Sequence, residues 1–89
     1  MKYAYIGRET AKSLSQIYDV LANSLAFPEW FGKNLDALYD CLTDLSEPSY
    51  IVVADTDYYK AQLSEKFGAL LDCLADAEKN NPNVYVRIV

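Results

Sequence analysis

PSYIVVAD, residues 48–55, is the segment from which the fold can be read. Tyr50 to Ala54 is an unbroken, short apolar run opened by Pro48, which fits a strand buried on both faces of a sheet and therefore a central one. On either side of it lie helical patterns. Upstream, NLDALYDCLTDL (34–45) sets Leu35, Leu38, Cys41, Leu42 and Leu45 along one apolar stripe, with Asn34 as N-cap and an end near Asp44. Pro28 and Gly32 punctuate the loop before it. Further upstream, Ser13 and Gln16 form a capping box for a helix in which Leu14, Ile17, Val20, Leu21 and Leu25 recur at helical spacing. Downstream, helical patterns run from about Thr56 to Leu63 and, with Ser64 as a cap, from Glu65 to about Lys79. Phe67, Leu70, Leu71, Leu74 and Ala77 share one side of the latter. Outermost, Lys2 to Ile6, ended by Gly7, and Val84 to Val89, following a turn at Asn80, Asn81, Pro82 and Asn83, alternate as strands.

Successive strands are separated by roughly thirty to forty residues of mostly helical chain, too long for hairpins and suited to parallel crossovers. The expected architecture is α/β: a three-stranded parallel sheet with about four flanking helices. A chain of 89 residues without internal repeats supports one core, so residues 1–89 are expected to form a single domain.

Composition narrows the function. Apolar residues make up 52% of the chain, and 8 Lys and Arg against 13 Asp and Glu give a net charge of −5. Such a balance disfavours direct contact with a phosphate backbone and points to a basic partner. The N-terminus lacks the apolar segment of a secretory signal and no run reaches membrane-spanning length, so a cytoplasmic address without membrane contact is expected. Cys41 and Cys73 lack C-x-x-C spacing and sit in apolar helical patterns, which argues against a zinc or redox site. They are either reduced core thiols or one bridge between the helices that carry them. Histidine is absent and Cys41 lies on an apolar face with no base beside it, so catalysis is not expected. No cofactor or metal is expected either, because a helical ridge splays its carboxylates where a hard cation needs them to converge.

That ridge is the informative feature. Asp36, Asp40 and Asp44 fall at i, i+4 and i+8 with no Lys or Arg between them, and each like-charge pair costs a helix about 0.2–0.5 kcal/mol. Asp36 is favoured by the helix dipole and Asp44 is opposed by it. The ridge is either a solvated acidic face or a surface kept for a partner. Tyr39, read as an exposed aromatic between two carboxylates, favours the partner, and Thr43 shares this side. Trp30, in the preceding loop, could close the core or stand exposed beside Tyr39. Large aromatics are usually buried, which favours the core for Trp30 and for Phe31. Asp72 and Asp76 form a second acidic pair on the last helix.

The block PEWFGKNLDALYDCLTD, residues 28–44, resembles the binding loop and helix of the barstar family, inhibitors of barnase-type secreted ribonucleases, and the similarity extends more weakly along the whole chain. The resemblance implies a protein that plugs a nuclease cleft. Asp40 matches the carboxylate that occupies the substrate-phosphate pocket among Arg and His side chains, and Asp36 one paired with a basic enzyme residue. Asp76 matches a third acidic position, Trp30 the aromatic stacked over the catalytic histidine, and Thr43 a contact at the helix end. Tyr39 stands where the family has a tryptophan. Asp44 and Leu45 replace a Gly and a Trp, and Lys33 replaces an acid. The partner implied is a basic, barnase-like extracellular ribonuclease, bound by a chain that is monomeric when free. The alternative is an immunity module on the same scaffold that binds a different basic protein or toxin without inhibiting a ribonuclease.

Overall fold

A computed structural model describes residues 1–89, in the order β1 (Lys2–Ile6), α1 (Leu14–Leu25), α2 (Leu35–Thr43), β2 (Ser49–Val53), α3 (Thr56–Leu63), α4 (Glu65–Asn80) and β3 (Val84–Ile88). The three strands form one parallel sheet with β2 in the centre, Ala4 pairing with Ile51 and Ile51 with Val86. The architecture is thus α/β with a three-stranded parallel sheet and four helices, as the strand spacing requires.

Local signals start the first two helices. Ser13 Oγ accepts from the Gln16 N–H at 3.1 Å, satisfying a donor left free by the helix start, and Gln16 Oε1 accepts from the Lys12 N–H at 2.7 Å, tying the entering chain to the first turn. Asn34 Oδ1 accepts from the Ala37 N–H at 2.8 Å and begins α2 in the same way. Ser64 does precede α4, but its side chain makes no capping bond. Its backbone (φ 52°, ψ −128°) turns the chain sharply between α3 and α4 instead.

The core is one cluster of 18 buried residues drawn from every strand and helix, including Ile6, Leu21, Leu38, Ile51, Tyr59, Leu70 and Leu74. All helices lie on one side of the sheet. Ser49, Ile51 and Val53 of β2 are buried beneath them, whereas Tyr50 is exposed and Val52 is only partly covered. The expectation of a strand buried on both faces is therefore corrected. A continuous apolar run reads the same whether one or both faces are covered, and here the second face presents tyrosines, which tolerate water through their hydroxyls. No helix is long and apolar enough to cross a membrane.

Candidate functional site

The segment from Ala26 to Asn34 is folded so that its aromatics part company. Ala26 (φ 56°) closes α1 in the left-handed region, with its own N–H and that of Phe27 bonded back to Ala22 O. Phe27 and Phe31 then turn inward. Their rings meet edge-to-face at 5.1 Å, and Phe31 meets Tyr18 at 5.9 Å. With the aromatic space beneath the loop filled by these rings, Trp30 is turned outward and is 77% exposed. Its expected place in the core is corrected, while Phe31 packs against the core as read from the sequence.

Lys33 ends the loop at φ 50°, and its ammonium is taken up by α1. Its Nζ lies 2.6 Å from Asp19 Oδ1 and 3.4 Å from Ser15 Oγ, both on α1. The cation nearest in sequence to the acidic ridge is thereby held on a neighbouring helix.

Along α2, Leu38, Cys41 and Leu42 are buried, and Asp36, Asp40 and Asp44 are exposed on the other side. None of the three carboxylates, nor Asp76, takes part in an ion pair; the ion pairs of the chain involve Glu47 and Asp19. Asp44 is the C-cap (φ −91°, ψ −6°), its N–H directed at Asp40 O, so the helix ends within a residue of the expected place. Trp30, Asp40, Thr43 and Asp44 line one cleft of about 520 Å³, together with Phe27, Cys41 and Leu45 on its apolar side. Asp36 lies further along, in a second depression beside Lys33, Asn34 and Lys66.

Tyr39 differs from its expected exposure. It is half-buried against the core, and its hydroxyl accepts a hydrogen bond from Asn80 Nδ2 of α4 at 2.9 Å. Position 39 sits on the flank of α2 that faces α4, so the ring fills the seam between the helices. Thr43 Oγ1 donates to Tyr39 O at 2.9 Å and also lies 3.3 Å from Asp40 O, which leaves its lone pairs available to an incoming donor.

Both cysteines are buried and free. Burial, with Asp40 and Asp44 nearby, raises the Cys41 pKa. Burial, with Asp76 and Asp36 nearby, pushes Cys73 up to about 11. Cys73 Sγ lies 3.6 Å from Leu35 O, so this thiol sits in the contact between α4 and α2.

The exit of α2 is held by residues read from the sequence only as a turn. Asn81, 5% exposed, donates through Nδ2 to Leu42 O at 2.8 Å and Leu45 O at 3.0 Å, while its Oδ1 accepts from the Asn83 N–H at 3.0 Å. Asn83 Nδ2 adds a bond to Leu45 O at 3.2 Å. Carbonyls left free at a helix end are satisfied this way, on a helix with Asp44 and Leu45 at its exit. The only sequence signal was the asparagine density of residues 80–83.

A profile of the family described as Barstar (barnase inhibitor) matches residues 1–89. A Bacillus subtilis (strain 168) protein named "Putative ribonuclease inhibitor YrdF" is 28% identical over 90 residues, an alignment that spans 100% of this chain and 99% of that protein.

Proposed function

We propose that this chain, which belongs to the barstar family, inhibits a basic ribonuclease by covering its active site with α2 and the loop before it, and that it catalyses nothing itself. The observation that supports this most is the unpaired state of the ridge. Three carboxylates stand exposed on one rigid helix with no cation of their own chain within ion-pairing distance.

In this reading Asp40 stands in for an RNA phosphate. A carboxylate presents two oxygens to the fork of an arginine much as a phosphate does. Insertion of a guanidinium beside Asp40 and Asp44 relieves their mutual repulsion, so part of the energy stored in the free ridge is released on binding. Trp30 borders the same cleft and offers a ring face to a cation or imidazole of the enzyme. Thr43 accepts a donor at the helix end. Asp36 and Asp76 meet a second group of basic residues across the α2–α4 seam, and Tyr39 supports both helices from within it.

The test is inhibition of RNA cleavage by barnase-type enzymes, with binding followed by calorimetry. Asp40→Ala leaves enzyme cations buried and unpaired, a loss of about 3–5 kcal/mol. It should exceed the loss from Asp76→Ala at the edge of the surface. Tight binding with RNA hydrolysis unaffected would instead favour an immunity module directed at a different basic protein or toxin.

A further inference from the structure

The sheet face turned away from the helices carries a surface with no part in the site above. In β1, Tyr3 and Tyr5 point outward; in β2, Tyr50 and Val52; in β3, Tyr85 and Arg87. Register places Tyr3, Tyr50 and Tyr85 in one row and Tyr5, Val52 and Arg87 in the next. The tyrosines are 56%, 44%, 37% and 43% exposed at positions 3, 5, 50 and 85, and Met1 and Val89, in the same alternation, are 81% and 69% exposed. Apart from Trp30 and Ile88, every large exposed apolar side chain of the protein lies on this face. Contiguous patches of this kind on a soluble protein mark contact surfaces.

Three observations select the occupant. First, Tyr50 and Tyr85 stack on each other with centroids 4.7 Å apart and planes 14° from parallel. That separation equals the strand spacing, so one face of each ring is covered by the other and the two side chains are held as a single flat element of the sheet surface. A nucleic acid is disfavoured here by charge: the chain carries a net −5, and Arg87 is the one cation at the outward strand positions. Second, the outward strand positions hold one charge, Arg87, and no carboxylate, on a chain of net charge −5. The carboxylates that border it are Glu78, in the same depression as Tyr85 and Arg87, and the terminus at Val89, and Arg87 of a second copy is the cation that meets them across a two-fold contact. Third, at about 200 Å² per aromatic side chain, the exposed fractions of the four tyrosines amount to roughly 360 Å². Val52, Arg87, Met1 and Val89 bring each copy towards the ~600 Å² per partner at the low end of specific interfaces.

We propose that the tyrosine face is a self-association surface through which two copies of this chain pack sheet to sheet, leaving both acidic ridges outward and free. The contact is isologous, each tyrosine row meeting its symmetry mate. Its modest area makes the dimer weak, with a dissociation constant on the order of tens to hundreds of micromolar. Because the contact is apolar between two acidic molecules, added salt screens their net repulsion and strengthens it. On this proposal the chain is a monomer at low concentration and a dimer at high concentration.

Sedimentation velocity from about 10 μM to 1 mM tests this, on the full chain and on the Tyr85→Glu variant, with circular dichroism to show that the variant is folded. The full chain should move from a 10.1 kDa species towards twice that mass as concentration rises, more so in high salt. Tyr85→Glu should weaken association at least tenfold by placing a carboxylate opposite its copy. A chain that stays monomeric at 1 mM, a dimer that salt dissolves, or a Tyr85→Glu variant that associates as tightly as the parent would each overturn the proposal. So would capture of RNA or of a heterologous protein by this face in place of a second copy.

Discussion

Replacing Asn81 by alanine should cost far more stability than the same change at its neighbour Asn80. The Asn81 side chain makes three hydrogen bonds, to Leu42 O, Leu45 O and the Asn83 N–H, at a site that is 5% exposed. At about 1 kcal/mol net for each bond, and with buried partners left short of donors, the loss is about 2–4 kcal/mol. For a domain of this size that lowers the melting temperature by roughly 8–32 °C, since 1 kcal/mol corresponds to about 4–8 °C. Asn80, by contrast, is exposed and bonds to Tyr39 Oη and Asp76 O where water can take its place. Its alanine variant should lose less than about 1 kcal/mol. Urea denaturation of both variants measures this directly, with an unchanged slope indicating that the midpoint shift is one of stability. If Asn81→Ala unfolds within 1 kcal/mol of the parent, or no earlier than Asn80→Ala, then Asn81 is not the clamp on the exit of α2.

Other outcomes can be checked alongside. Association with the cognate enzyme should slow steeply with added salt, because carboxylates unpaired in the free chain steer a basic partner at long range; a stopped-flow on-rate indifferent to ionic strength contradicts this. At high pH the fold should weaken. Burial pushes Tyr59 up to about 12 and Cys73 up to about 11, so the folded chain holds these protons more tightly than the unfolded chain does. The stability they contribute is complete below the ordinary thiol value of 9.0 and disappears as pH climbs through about 11 for Cys73, then about 12 for Tyr59. Denaturation midpoints should fall over that range, with a shallower fall for Cys73→Ala. A midpoint that stays level from neutral pH to about 11 would remove this source of alkaline lability.

What could be read in the residues was local. Ser13 with Gln16, and Asn34 with the apolar stripe behind it, declare their helices because capping and periodicity act within four residues. Parallel strands follow from the long helical connections. The departures depend on backbone geometry and on packing between side chains, neither of which is set by residue type alone. Trp30 is exposed because Phe27, Phe31 and Tyr18 fill the aromatic space under the loop, a competition that no single residue type reveals. Tyr39 is half-buried because α4 lies alongside it, 41 residues away at Asn80. The open face of β2 escapes an apolar count because a tyrosine scores as apolar whether it faces a helix or water. The position of each ridge carboxylate was legible, whereas the withdrawal of Lys33 onto Asp19 was not, since it depends on a left-handed residue just before the helix.

Inhibition of a barnase-type ribonuclease measured at increasing RNA concentration addresses the phosphate-mimic reading most directly. A helix that occupies the phosphate site competes with substrate, so the apparent inhibition constant should rise in proportion to RNA, and Asp40→Ala should lose inhibition while remaining folded. An inhibition constant independent of RNA, or an Asp40→Ala protein as potent as the parent, would contradict it.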